Sequence, residues 1–525
     1  MPSTLMTEPR PAHEKVTILP EDEHNLKLLD NVHPPQWVNP DPTGRYNIVV
    51  IGAGTAGLVT AAIAAGVGAK VALIEKHLMG GDCLNVGCVP SKGVIRAARV
   101  WSEIRNAAEF GVRIPPGVQY DFGAAMARMR KLRARISHTD SVHRYKSLGV
   151  DVFIGNCRFS GSDTVTVEGP AGNRTLRFAK AAICTGARAS APPTPGLQEA
   201  GYLTNETIFT LTELPPRLAV IGAGPIGCEL AQSFARFGSQ VYLIEAMHGI
   251  MPNEDRDAAE IVHESMLRDG VKLLCCGKDL RVTKTDSGKR LTVDSHGQQY
   301  DITVDEILVG VGRTPNVEGL GLESVGVEYD KTGVRVNDRL QTTNPRIYAA
   351  GDICSQYKFT HAADAMAQIL IQNALFPHPF GLAYASVDSM IMPWCTFTEP
   401  EIAHVGMYEG DAKAKGLEFE TYTYKLDEVD RAILDGEDEG FARVHIQKGT
   451  DKILGATIVA AHAGDMINEF SVLMKAGLGV KTITSTIHPY PTQAEVNKKV
   501  CNLWRKAHFT QGQKNILKKW FAWTR

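Results

Sequence analysis

A duplicated pattern constrains this chain more than any other feature. Residues 46–51 (YNIVVI) form a continuous apolar run that enters Gly52-Ala53-Gly54-Thr55-Ala56-Gly57. The helical stretch LVTAAIAAGVG follows, then a second apolar run over 70–75 that ends at Glu75. The same order returns as LAVIGAGPIGCELAQSFARFGSQVYLIE, with Gly222, Gly224 and Gly227 in the turn and Glu245 at the end. One GxGxxG run is a weak signal, because any tight turn at a helix start can supply it. Two copies, each between a buried strand and a helix and each with its acid about 20 residues on, require two βαβ nucleotide folds. The glycines have separate tasks there: turning the chain, letting the backbone approach a pyrophosphate, and packing helix on strand. The phosphate is held at the helix N-terminus. Both units are expected to bind a dinucleotide.

At 525 residues and about 150 residues per domain, three to four domains are expected. Residues 1–45 are polar, are broken by Pro34, Pro35, Pro40 and Pro42, and show neither helical nor strand periodicity, so they read as an extension laid on a surface. From 386 to 500 the pattern changes to alternating segments such as ARVHIQ (442–447) and ATIVAA (456–461), which suggest an antiparallel sheet flanked by helices. Lys+Arg is 56 against Asp+Glu 58, so the net charge gives no reason to expect a nucleic-acid partner. Ten cysteines are too few for a secreted disulfide framework. The N-terminal acids do not fit an Arg-rich transit peptide, and no apolar stretch reaches the ~20 residues that span a bilayer. A cytoplasmic protein is expected.

The chemistry concentrates in GGDCLNVGCVPSK (80–92), where Cys83 and Cys88 lie in a glycine-rich segment that leads into a helix. That spacing allows two sulfurs to reach disulfide distance, and it equally allows two buried thiols. The segment closely resembles the redox-active disulfide of the FAD-dependent pyridine nucleotide-disulfide oxidoreductases, which include dihydrolipoyl dehydrogenase, glutathione reductase and mercuric reductase. The likeness continues through AICTGAR (182–188), ILVGVGRTPN (307–316), TNPRIYAAGD (343–352) and FTEPEIAHVG (397–406), and covers about 46–499 in the family's order.

The resemblance implies an α/β fold with two Rossmann-like units and a C-terminal α+β dimerisation domain. The FAD-binding unit would comprise 46–195 and 313–385, the NAD(P)-binding unit 196–312, and the dimerisation domain 386–500. FAD would rest on Gly52, Gly54, Gly57, Glu75, Gly81, Lys92, Thr185, Gly186, Asp352 and Thr360. The nicotinamide cofactor would rest on Gly222, Gly224, Gly227 and Glu245, and Gly312, at the end of the second unit, is a further cofactor-binding candidate. The Glu245 carboxylate suits a ribose hydroxyl and repels a 2′-phosphate, and no arginine follows directly, so NADH is expected over NADPH. Lys92 and Glu229 resemble the family's ion pair near the reactive end of the flavin; standing alone, each would read as a surface charge on a helix. By family analogy Cys88 lies nearest the flavin as the charge-transfer thiolate and Cys83 exchanges with substrate. No resident metal ligands are nominated, and Cys275-Cys276 reads as strand neighbours pointing to opposite faces, one in the core and one partly exposed.

The segment HPYPTQAE (488–495) departs from the family's usual HPTxxE: Tyr490 stands where the catalytic histidine would be, and His488 lies two residues earlier. A tyrosine in this region is similar to mercuric reductase, and a phenol of pKa ~10 is a poor base toward a thiol at neutral pH. His488, oriented by Glu495, is the alternative base. The family supplies this segment from the partner subunit, so a homodimer is implied. After Glu495 the chain carries eight basic residues and no acid, with Trp504, Phe509, Trp520, Phe521 and Trp523 interleaved. This tail (501–525) is a candidate for peripheral membrane contact, although packing across the dimer is the plainer expectation. The main reading is reduction of a disulfide, a metal ion or another soft acceptor at NADH's expense. The alternatives are a dihydrolipoyl dehydrogenase and, in another class, a flavin-bearing subunit docked to a membrane or complex.

Overall fold

The computed structural model describes residues 16–169 and 172–525; the first fifteen residues of the extension lie outside it. The first nucleotide unit is built on parallel strands in the order Val150–Ile154, Val71–Glu75, Arg45–Ile51, Gly172–Ile183, and Ile347–Ala349 joins on the far side of Gly172–Ile183. The hairpin Asn156–Gly161 and Thr164–Gly169 continues the sheet antiparallel. The second unit has four parallel strands in the order Lys272–Leu274, Gln240–Ile244, Arg217–Ile221, Glu306–Val309, beside the antiparallel meander Lys278–Thr285, Gly288–Ser295 and Gln298–Val304. The chain leaves the first unit after Ala187–Ala189 and returns through Arg313–Pro315, and these two short strands pair with each other.

The two glycine turns are near-copies in space. Gly52 and Gly222 have φ +100 and +102, a conformation that side chains rarely adopt. A Cβ on Gly57 would sit 1.8 Å from the Gly52 carbonyl oxygen, and one on Gly227 would sit 1.9 Å from that of Gly222. These clashes explain why both copies keep both glycines.

The third unit is a five-stranded antiparallel sheet in the order Pro393–Thr396, Glu401–Gly406, Ile453–Ala460, Phe441–Gln447, Phe419–Lys425. Its central strand Ile453–Ala460 is buried at every position rather than at alternate ones, because both faces of the strand are covered. The polar residues His404, His445 and Thr457 lie inside this sheet with no solvent exposure.

The extension differs from the expectation of no periodic structure. Glu23–Val32 is a helix, capped by Asp22 accepting from the Asn25 amide and burying Leu28, Leu29 and Val32. It is fixed to the helix Phe122–Ile136 by Arg130 on Asp22 and by Arg133 donating to Asn25 at 2.7 Å. Downstream, Asn39 exchanges two hydrogen bonds with Ile154 (2.8 and 2.7 Å) and Trp37 donates to the Val152 carbonyl, so the extension covers the exposed edge of the first sheet. At the other end, the expected boundary at 500 falls inside the helix Glu495–Ala507, whose Val500, Cys501 and Trp504 are buried. The last helix, Gln511–Thr524, buries no residue. Among the described residues, no helix is long and apolar enough to cross a membrane.

Candidate active site

The thiol segment is shaped by backbone proximity. Gly81, at φ +55, passes so close to the first glycine turn that a Cβ there would meet the Gly54 Cα at 2.6 Å. Cys83 lies in the short helix Gly81–Asn85, which the Asn85 side chain closes by donating to the carbonyls of Met79 and Gly81. Gly87 then caps the helix Cys88–Arg105, so Cys88 occupies its first turn with the positive end of the helix behind it. Cys88 Sγ lies 3.3 Å from Thr360 Oγ1, and Thr360 opens the helix Thr360–Leu375. Two helix N-termini therefore converge on one thiol.

This setting polarises the pair in opposite directions. The Cys83 thiol, by donating toward Cys88, is the largest influence lowering the Cys88 pKa; burial opposes it, and Thr360 and the Lys92 ammonium assist. Cys83 is pushed well above an ordinary thiol by the same hydrogen bond and by burial. The arrangement favours a thiolate on Cys88 and a proton on Cys83.

One turn along the helix, Lys92 Nζ lies 2.9 Å from Glu229 Oε2, and the Glu229 side chain is only 7% exposed. The other Glu229 oxygen accepts from the Phe397 amide at 2.9 Å, and Lys92 Nζ sits 4.3 Å from the centre of the Phe397 ring. The structure thus brings Lys92 and Glu229 together from two different units. Sequence reading missed Phe397, although it lies within a quoted motif.

The residues nominated for FAD suit that group. The helix Thr55–Gly66 begins at Gly54 with no side-chain cap, so its first amides remain free for phosphate. Glu75 accepts from the amides of Ala53 and His77 at 2.8 Å each, which fixes its carboxylate at the end of the strand, and burial raises its pKa. Thr185 and Gly186 are tied to Asn316 of the returning chain by three hydrogen bonds of 2.9–3.0 Å. Gly312, the cofactor-binding candidate at the end of the second unit, adopts φ +69 beside Ser190. Asp352 is raised by burial and lowered by Arg313, whose Nε lies 3.4 Å from the Asp352 carboxylate. Arg313 also pairs with Asp82 and donates to the Ala187 carbonyl. It links the thiol segment to Asp352, a role that sequence reading did not assign. FAD, when bound, supplies the hydride and electron transfer.

In the second unit Glu245 repeats the Glu75 geometry, accepting from Ala223 at 2.7 Å and Met247 at 2.9 Å. The helix Pro225–Phe237 likewise begins at an uncapped glycine, Gly224.

The C-terminal segment differs from expectation in one respect. Glu469, not Glu495, is the partner of His488: its Oε1 lies 3.0 Å from His488 Nε2, while His488 Nδ1 faces the Thr486 carbonyl at 3.2 Å. Glu495 instead opens the helix Glu495–Ala507, where an acid suits the positive end. Tyr490 is 70% exposed and donates to Asp430 at 2.8 Å. A second difference concerns Cys275 and Cys276. The strand ends at Leu274, Cys276 takes φ +55, and both thiols are half-buried on one side beside His296 and His248.

Two nucleotide-type units, a thiol pair at converging helix N-termini and an ion pair between units define a dithiol oxidoreductase that works with two dinucleotides. Residues 46–368 match the family model "Pyridine nucleotide-disulphide oxidoreductase", and 392–501 match that family's dimerisation domain. The chain belongs to this family, and it is an enzyme that uses FAD and NAD(P)H. It is 34% identical to the mercuric reductase of Staphylococcus aureus (86% of this chain, 81% of that one). It is 31% identical to a dihydrolipoyl dehydrogenase of Bacillus subtilis (86% and 96%). Among solved structures it resembles the Cu(II) complex of the HOCl-induced flavoprotein disulfide reductase RclA from Escherichia coli. The identity is 28%, the TM-score 0.76, and the coverage 88% of this chain and 100% of that one. LpdA from Mycobacterium tuberculosis is similar at 25% identity and a TM-score of 0.78, with 87% and 99% covered.

Proposed function

We propose that the protein is an NADH-preferring reductase that passes an electron pair through FAD to Cys83 and Cys88 and delivers it to a soft acceptor, a metal ion or a disulfide. The observation that carries this reading is Cys88 at the start of its helix, against Thr360 and with the Cys83 thiol donating to it. Two electrons and one proton convert the Cys83–Cys88 disulfide into a Cys88 thiolate and a Cys83 thiol, which is the protonation pattern the surroundings favour. Residues 46–195 and 313–385 would hold FAD, and 196–312 would hold NADH. Lys92, balanced by Glu229, would offset negative charge beside the flavin. Asp352, held by Arg313, would bind the ribityl chain. The preference for NADH rests on the Glu245 carboxylate and on the absence of an arginine directly after it.

A metal-ion acceptor is supported by the mercuric reductase likeness and by Tyr490 in place of a histidine. Dihydrolipoamide oxidation needs a base for a thiol proton, and both ring nitrogens of His488 face oxygen atoms in this conformation. The working unit would be a homodimer: besides the dimerisation domain, Ile487 (91% exposed), Tyr490 and Val472 leave apolar surface beside the His488 segment. The tail helix would lie along the partner subunit.

Anaerobic titration with NADH tests the core of this reading. A long-wavelength charge-transfer band should appear at two-electron reduction and be absent in Cys88→Ser. Hg(II), Cu(II) and disulfides are then added in turn, and the fastest to restore oxidised flavin is the preferred acceptor. Direct bleaching to reduced flavin would overturn the coupling of the thiols.

A further inference from the structure

The meander of the second unit and the loops after two adjacent strands of its parallel sheet bring four soft ligands to one place. His248 follows the strand Gln240–Ile244, Cys275 and Cys276 follow Lys272–Leu274, and His296 lies in the turn between Gly288–Ser295 and Gln298–Val304. One ligand atom from each residue lies within 4.8 Å of all the others. Cys275 Sγ is 3.1 Å from His296 Nε2, and Cys276 Sγ is 3.5 Å from His248 Nδ1.

From these distances we propose that His248, Cys275, Cys276 and His296 form a tetrahedral Cys2His2 site for a thiophilic d10 cation, Zn(II) in the first instance. Zn–S bonds of about 2.3 Å and Zn–N bonds of about 2.0–2.1 Å place neighbouring ligand atoms roughly 3.3–3.8 Å apart in a tetrahedron. The two sulfur–nitrogen pairs already have that separation to within a few tenths of an ångström, and the widest pair needs about 1 Å of side-chain rotation. Two thiolates and two imidazoles are the donor set that selects Zn(II) or Cu(I) over hard cations.

The backbone is arranged to make the cluster. Extended neighbours point to opposite faces, but the left-handed φ of Cys276 (+55) turns its thiol to the same side as that of Cys275. His296 (φ +54) and Gly297 (φ +80) form a two-residue turn whose positive φ values favour Asn, Asp or Gly, and a histidine stands at the first position. Ser295 Oγ donates to the Cys275 carbonyl at 2.6 Å, fixing the hairpin against the thiol loop. The amides of Cys276 and Gly277 donate to the carbonyls of Met247 and Glu245 at 3.0 and 2.8 Å. A cation here would therefore clamp three loops, among them the one that carries Glu245. Binding displaces two thiol protons and forms two metal–sulfur and two metal–nitrogen bonds, with no change of oxidation state.

The test uses the full-length holoprotein with Cys83→Ser and Cys88→Ser, so that the active-site thiols cannot bind metal. After demetallation and phosphine reduction it is titrated with Zn(II) against a competing chelator, and separately with Co(II). The expected results are one equivalent of Zn(II) per chain, a raised thermal midpoint, and the intense visible bands of tetrahedral thiolate-ligated Co(II) beyond the flavin absorption. Further substitution by Cys275→Ser and Cys276→Ser, or by His248→Ala and His296→Ala, should weaken Zn(II) binding by more than the ~10–100-fold that loss of an outer-shell partner costs. Flavin content verifies that each variant is folded. Substoichiometric binding, or affinity unchanged in both sets of variants, would overturn the site. These outcomes do not depend on turnover, so they are independent of the proposed acceptor.

Discussion

Replacing Cys83 by alanine tests the thiol polarisation at its largest source. In the structure the Cys88 pKa is lowered from 9.0 to about 6, and the hydrogen bond from the Cys83 thiol heads the causes. A hydrogen bond to a charged group contributes about 1.5–3 kcal/mol; Cys88 is exposed on one side, so solvent screening favours the lower figure. Cys83→Ala is therefore expected to raise the Cys88 pKa by about one unit, to ~7. Cys83→Ser keeps a donor and should stay closer to the wild-type value. The assay is the long-wavelength charge-transfer absorbance of each oxidised variant, titrated from pH 5 to 9 and compared with the two-electron-reduced wild type. A midpoint in Cys83→Ala equal to that of the wild type would refute the reasoning, as would an equal displacement in Cys83→Ser.

Four further outcomes follow from the geometry. Glu245→Ala removes a carboxylate placed for a ribose, so kcat/KM for NADH should fall by about tenfold or more while that for NADPH changes less; an unchanged ratio of the two would rule out Glu245 as the discriminator. Lys92→Met leaves Glu229 buried and unpaired, a loss of roughly 2–3 kcal/mol after allowing for the 37% exposure of Lys92. The denaturation midpoint should fall, and adding Glu229→Gln should restore part of it. Burial holds His404 at about 3 against ~6.5 unfolded, so the folded state binds fewer protons. Its stability contribution is complete above pH ~6.5 and declines by about 2 kcal/mol by pH 5, and His404→Asn should flatten that slope in urea titrations at pH 7 and 5. Removal of residues 511–525 should leave binding to anionic vesicles at the full-length level if the tail packs on the partner; a tail-dependent loss in co-sedimentation would favour membrane contact.

Both nucleotide folds were legible because their glycines answer to local backbone geometry. The clash at Gly57 is with the carbonyl of Gly52, five residues away, so the constraint is written within one short window. The helix Glu23–Val32 was not legible for the opposite reason. Its fixing contacts, Arg130 on Asp22 and Arg133 on Asn25, each span 108 residues, and the nearby prolines conceal a single capped helix. The same separation hid Arg313, which sits inside a quoted motif but takes its meaning from Asp82, 231 residues earlier.

The two cysteine pairs show where reading by spacing succeeds and where it fails. Cys83 lies in the short helix Gly81–Asn85 and Cys88 opens the helix that follows two residues later, so their spacing places them near enough to meet. Cys275 and Cys276 are adjacent, and adjacency under strand geometry predicts opposite faces. One left-handed residue reverses that, and the histidines that join the pair come from 21 and 28 residues away on separate loops. Chain order therefore suffices for a site made by one turn. A site made by three loop ends depends on how sheet and meander are stacked, which a single sequence does not state. The same limit would apply to the acceptor in the homodimer proposed above, where the residues that select it would come from both chains.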